Sequence, residues 1–183
     1  MRLVNWIRPM TAALAAVLLA APAWAAAASV QAVWVPHKVH FVYQAFTSFY
    51  SCDALRDEIE SLLTKLGARD LTVRADPCLR PGGVDPYPGV EVTMRVLVPA
   101  GSSVQAASRV AAHWHKVVLA SGAGEFNAGG KCELVEQFRR ALLPLFQARH
   151  IDMRANCRAH QVMTDTYLSA EVLVPDSPHA PPH

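Results

Sequence analysis

An internal duplication that carries all four cysteines at matching places constrains this chain more than any other feature. Cys52 opens CDALRDEIESLLTKLGARDLTVRADPC, which closes at Cys78, and Cys132 opens CELVEQFRRALLPLFQARHIDMRANC, which closes at Cys157. At a constant separation of 80 positions, Leu62, Leu63, Ala68, Arg69, Arg74 and Ala75 meet Leu142, Leu143, Ala148, Arg149, Arg154 and Ala155. VLVP at Val96 to Pro99 returns at Val172 to Pro175, and HKV at His37 to Val39 returns at His115 to Val117. Two copies of one supersecondary unit are therefore expected, residues 33–100 and 113–175, within a single domain spanning 33–175.

Each copy reads as strand, helix, strand, strand. VHFVYQAF at Val39 to Phe46 is rich in β-branched and aromatic residues and reads as a strand. From Cys52 to Leu66 the residues Leu55, Ile59, Leu62, Leu63 and Leu66 share one helical face, and Gly67 stands where a left-handed cap is wanted. Leu71, Val73 and Ala75, then Val92, Met94 and Val96, alternate with polar residues and predict two half-buried strands. The second copy repeats this order with KVVLA from Lys116, a helix from Cys132 with Leu134, Val135, Phe138, Leu142 and Leu145 on one face, then Ile151, Met153 and Ala155, then Leu168, Ala170 and Val172. Pro144 has no amide hydrogen and predicts a kink or an early end to that helix. Residues 102–112 suit a short connecting helix or a structured linker. PGGVDPYPG at Pro81 to Gly89 reads as a hairpin loop, and residues 176–183 as a disordered tail.

One-sided helices and strands are satisfied together by a sheet with both helices on one face. The expected class is α+β: two pseudo-symmetric β-α-β-β repeats forming a mixed or antiparallel sheet, ferredoxin-like or a related α/β sandwich. In a strand-helix-strand crossover, the helix start and the end of the next strand lie at the same edge of the sheet. A helix of about fifteen residues and a strand of about seven each span close to 22 Å, so the cysteines of one copy can meet. Of the three connectivities, this geometry selects Cys52 with Cys78 and Cys132 with Cys157. The absence of any CxxC and the wide spacing within each pair favour structural bridges over metal or redox chemistry.

The N-terminus sets the expected compartment. Arg2 and Arg8 precede an apolar run from Met10 to Ala21, and Ala23-Trp24-Ala25 supplies the small residues a signal peptidase reads, so residues 1–25 read as a signal peptide. An apolar run of about a dozen residues is too short to cross a bilayer as a helix, so no membrane insertion is expected after cleavage. Loss of Arg2 and Arg8 leaves fifteen Lys and Arg against fifteen Asp and Glu. With no basic run, the electrostatic footprint for a phosphate backbone is missing and nucleic acid is not an expected partner. The expected location is the periplasm or the exterior.

Motifs for chemistry are sparse. GxSxG, SxxK and HExxH are all missing, so no catalytic residue and no cofactor are assigned. SGAGEFNAGGKC before the second helix superficially resembles a phosphate loop, but its spacing is one residue too long and Cys132 replaces the hydroxyl that would hold magnesium. His113 and His115, two apart on a strand, point to one face and are candidate metal ligands. The match of His115 with His37 in the repeated HKV argues instead for a structural position. Asp57, Glu58 and Glu60 read as the solvated face of a helix.

FTSFYSC, GARDLTVRADPC, CELVEQF and LLPLF, within a stretch from Trp34 to Val174, resemble a family of secreted proteobacterial proteins of plant-associated and soil gammaproteobacteria that has no assigned function. That resemblance implies a bacterial envelope protein and carries over no active-site residue. The expected function is a disulfide-stabilised binding or assembly module that contacts an envelope protein or a small ligand. The alternative is a small periplasmic metal-handling protein or hydrolase built around His113 and His115.

Overall fold

The computed structural model describes residues 29–46, 49–77, 83–101, 109–120, 131–154, 157 and 166–176. Residues 1–28 with the expected signal peptide, Cys78, residues 102–108, residues 121–130 and the expected disordered tail beyond Asp176 lie outside the described residues.

Along the chain run β1 (Val30–Val42), β2 (Tyr50–Ser51), α1 (Cys52–Lys65), β3 (Arg69–Ala75), β4 (Val84–Asp85), β5 (Gly89–Pro99), β6 (Val110–Ala120), α2 (Lys131–Ala141), a 3-10 turn (Leu143–Phe146), β7 (Arg149–Arg154) and β8 (Tyr167–Pro175). Six strands form one antiparallel sheet in the order β3-β5-β1-β6-β8-β7, and β2 pairs with β4 in a separate ribbon. The fold is α+β, an α/β sandwich. Its sheet order reads alike from both ends once β1, β3 and β5 are matched with β6, β7 and β8.

Local chemistry accounts for the helices. Ser51 caps α1 by accepting the Ala54 amide at 3.2 Å, and Gly67 follows at φ 81°, a left-handed conformation that glycine takes without a Cβ penalty. α2 ends at Ala141, and the chain tightens into the 3-10 turn carrying Pro144 near its start, as a proline there requires. Gln147 then takes the left-handed cap at φ 47°, at the place Gly67 holds in the first half.

Strand alternation divides the apolar residues between two faces. On one, Val33, Phe41, Val90, Val92, Met94, Val96, Leu168, Ala170 and Val172 pack with Leu55, Ile59, Leu62 and Leu63 of α1 and Leu134, Val135 and Phe138 of α2. One core thus draws on both halves and both helices. The other face carries a smaller cluster of Ala32, Leu97, Ala112 and Leu173, with Val30, Trp34, Val110 and Trp114 packed against it.

Several expectations need correction. The first strand runs from Val30 to Val42 and stops short of Phe46. Val110, Ala111 and Ala112 belong to β6, where they pair with Ala32, Gln31 and Val30, and not to a connecting helix. Ile151 is 42% exposed and contributes little to the core, because β7 is an edge strand that bulges between Arg149 and Asp152. The repeated HKV strings do not correspond in space: His37 faces Met94, whereas His115 faces Val172. Since Val172 takes the place of Val96, whose partner is Val35, His115 answers to Val35 and His113 to Val33. A shift of two residues leaves side-chain alternation unchanged, so the string match and the true register are indistinguishable from pattern alone.

With the register in hand, the pseudo-twofold axis falls at the Gln31–Ala111 pair, the centre of the three-residue contact between β1 and β6. Ala100 donates to the Gln31 carbonyl at 2.9 Å and Asp176 to the Ala111 carbonyl at 3.0 Å, one bond in each half. β5 and β8 come within 8 Å although two strands separate them, whereas flat strands about 4.8 Å apart would leave about 14 Å. The sheet therefore does not lie flat across this seam. Both outer strands, β3 and β7, are bulged and charged, which blunts the free edges against strand addition.

Candidate binding face at the seam

The helix-free face centres on two matched stacks. Trp34 lies opposite Leu97 and Trp114 opposite Leu173, and the Arg69 and Arg149 guanidinium groups sit over the two indoles at 4.7 and 4.1 Å. Each arginine opens an edge strand at the bulge, which aims its side chain back over the sheet. Leu97 and Leu173 beneath are almost fully buried. An indole under a guanidinium seals a small apolar cluster and fixes the plane of the guanidinium above it.

The ion pairs beside the stacks are charge-inverted. In the second half, Arg149 Nε donates to Glu171 Oε2 at 2.7 Å and His150 Nδ1 lies 2.8 Å from the same oxygen. These contacts, His150 first, hold the Glu171 carboxyl below its usual range. In the first half, Arg95 takes the place of Glu171 and Asp70 that of His150, and Arg95 Nε donates to Asp70 Oδ2 at 2.5 Å. Beside the first stack, Trp34, Arg69, Arg109, Val110, Ala111, Pro175 and Asp176 line a cleft of about 230 Å³.

Of the candidate ligands, His113 and His115 do share the face of β6 that carries Val117 and Leu119, their rings 6.5 Å apart. His113 Nδ1 is 2.7 Å from Asp176 Oδ1, and Ser29 Oγ donates to the other oxygen at 2.9 Å. Contact first with His113 and then with Ser29 lowers the Asp176 pKa. Among the described residues, no three His, Cys, Asp or Glu side chains gather as a metal-binding group.

Cys132 and Cys157 form a disulfide with a Cα separation of 5.6 Å. Cys52 is also disulfide-bonded, while its expected partner Cys78 lies outside the described residues. No cysteine among the described residues carries a free thiol.

A second polar cluster joins the halves behind the sheet. The buried Tyr43 hydroxyl donates to Glu133 Oε2 at 3.0 Å, the Phe46 amide donates to the same oxygen, and Gln44 and Gln137 exchange two bonds. Burial first, and then the charge of Glu133, pushes the Tyr43 hydroxyl well above its ordinary pKa. Burial followed by Glu58 and Glu133 does the same to Tyr50, whose ring meets Tyr43 edge-on. Glu58, expected on a solvated helix face, is instead half-buried and accepts from Lys131 Nζ at 2.5 Å, tying α1 to the start of α2. This cluster fixes α2 against the end of β1 and has the character of structural glue.

Sequence reasoning missed the two tryptophan stacks and the Tyr43–Glu133 pair. The stacks left a signal: the 80-residue separation that matches the helices also matches Trp34 to Trp114, Ala32 to Ala112 and Val30 to Val110. The Tyr43–Glu133 pair left none, because it depends on how α2 crosses to the first half.

Comparison with protein-family models, curated proteins and solved structures finds no match for this chain. Among the described residues, no helix is long and apolar enough to cross a membrane.

Proposed function

We propose that this chain is a disulfide-stabilised binding module of the bacterial envelope, periplasmic or secreted, that engages an envelope protein or small ligand with the helix-free face of its sheet. The observation that carries this reading is the division of labour between faces. Both helices and the main core lie on one side, while the other displays two guanidinium-capped tryptophans and a cleft around the seam. The leader-like N-terminus and the disulfides support an oxidising compartment. The test is a photo-reactive residue placed in the producing bacterium at Thr93 or Lys116 on the helix-free face, and at Glu60 or Arg139 on the helices. One discrete cross-linked species from the first pair and none from the second supports the reading; the reverse pattern sinks it.

A second reading, a metal-handling protein or hydrolase using His113 and His115, draws on the Ser29–Asp176–His113 chain, since a carboxylate often orients a metal-bound or catalytic imidazole. Calorimetric titration with zinc and copper tests it. Submicromolar binding that disappears in the His113→Ala/His115→Ala double variant, with the fold retained, favours this reading over the first.

A further inference from the structure

We propose that the β2–β4 ribbon, at the end of β1 away from the seam, is a docking surface for a segment of a partner protein that presents apolar side chains among Lys or Arg residues. It is separate from the helix-free face and goes beyond the reading of that face, standing or falling on its own test.

The ribbon has a fixed backbone under an exposed apolar surface. Tyr50 and Ser51 pair with Asp85 and Val84, while Tyr43 donates to the Pro88 carbonyl at 3.0 Å and Ala45 to the Pro86 carbonyl at 3.2 Å, so the two arms are tied together. Pro86 and Pro88 restrict φ on either side of Tyr87, whose amide donates to Asp85 Oδ1 at 2.9 Å. Underneath, the buried Tyr43 ring meets Tyr50 edge-on. On this frame stand Phe46, Phe49, Val84 and Tyr87, which at 59, 55, 63 and 65% are the four most exposed large apolar side chains among the described residues. One exposed apolar residue is ordinary, whereas four on one short ribbon form a patch of the kind that marks a contact surface. Aromatic side chains with few rotatable bonds, carried on a fixed backbone, lose little freedom when they are covered.

Charge around the patch selects the occupant. α1 leaves the ribbon directly from Ser51, so Asp53 and Asp57 follow within about 9 Å of helical rise. Both acids are well exposed and share the single guanidinium of Arg56. Asp85 adds a third carboxylate on the ribbon itself. Beside Phe46 the surface continues into a cleft that Glu136 and Arg140 line, and these two pair with each other at 3.1 Å, as Glu58 does with Lys131 at the start of α2. Among the described residues the rim therefore carries acid in excess. Two such rims repel, which disfavours a second copy of this chain, and an anionic lipid surface is disfavoured for the same reason. A basic segment with apolar side chains answers both the patch and its rim.

The experiment is a fluorescence-anisotropy titration of the oxidised protein into three labelled peptides of equal length, each with alternating Phe and Leu separated by Lys, by Ser or by Glu. The Lys peptide should bind saturably, the Ser peptide at least tenfold more weakly, and the Glu peptide not at all. Phe49→Ser/Tyr87→Ser should weaken the Lys peptide at least tenfold with the melting temperature retained, since both side chains are more than half exposed. Ile151→Ser, which removes an exposed apolar side chain from the distant edge strand β7, should leave binding unchanged. Asp53→Asn/Asp57→Asn keeps the patch and should bring the Lys peptide down towards the Ser peptide. Sedimentation velocity and flotation with phosphatidylglycerol–phosphatidylethanolamine vesicles examine the other occupants. The proposal is overturned if no peptide binds saturably, if all three bind alike, or if the Phe49→Ser/Tyr87→Ser protein binds as the parent does. Self-association or vesicle binding that disappears in that variant also overturns it, in favour of a second copy or a membrane surface. None of these substitutions touches Thr93 or Lys116, so failure here leaves the helix-free face to its own cross-linking test.

Discussion

Asp70 and His150 occupy the same turn of the two edge bulges: their φ values are 50° and 47°, and each reaches one strand inward, Asp70 to Arg95 and His150 to Glu171. A left-handed backbone tolerates Asp or Asn far better than a β-branched residue. Asp70→Asn loses only an exposed ion pair, so it should cost less than about 1 kcal/mol. Asp70→Val adds backbone strain and should cost about 1 to 2 kcal/mol more. Urea midpoints compare the two. Equal losses would mean that the bulge imposes no conformational demand.

The acid limb of stability should depend on Glu171, Asp176 and Glu91. Their carboxyl pKa values are lowered in the folded protein, chiefly by His150, His113 and Lys38 respectively. A carboxyl with a depressed folded pKa contributes stability above its unfolded value, about 4, and loses it as pH falls through the folded value. Melting temperature should therefore drop as pH is lowered from 5 to 3, and Glu171→Gln should flatten that drop while lowering stability at pH 7. An unchanged slope in the variant would show that Glu171 carries none of it.

Tyr43→Phe should destabilise by about 1.5 to 3 kcal/mol, the range for a hydrogen bond to a charged group, because it removes a donor from the buried Glu133 carboxylate and puts nothing in its place. Chemical denaturation reads the loss. A change below about 0.5 kcal/mol would mean that water or another donor replaces the hydroxyl.

Replacing Cys132 and Cys157 together by Ser should cost about 3 to 4 kcal/mol through the entropy of a loop closed over 25 residues. Non-reducing peptide maps of the oxidised protein should show that bridge, and a second between Cys52 and Cys78. A map that joins Cys52 to either cysteine of the second half would contradict the pairing within copies.

Much of the architecture was legible because it rests on short-range chemistry. The apolar stripe from Leu55 to Leu66 marked α1, Gly67 marked its end, Pro144 marked the close of α2, and the cysteine spacing gave the Cys132–Cys157 bridge. The candidate face was not legible, because it depends on register. His37 and His115 share a tripeptide yet sit two places apart in equivalent strands, and both placements keep the same alternation. The exchange of Arg95 for Glu171 across from Asp70 and His150 becomes a statement about charge only once each strand's partner is known. Val30 to Lys38 was not legible as strand although Ala32 to Lys38 pairs with β5 without a break, because Pro36 within it argues against a paired strand.

The central claim, that the helix-free face is the binding face, is tested most directly by calorimetry with the partner captured at Thr93 or Lys116. Its affinity is compared for a Thr93→Glu/Lys116→Glu protein and a Glu60→Lys/Arg139→Glu protein, all four positions being exposed. The account predicts binding at least tenfold weaker for the first pair and changed less than twofold for the second. Equal losses in both proteins, or a loss confined to the helix-face pair, would contradict it.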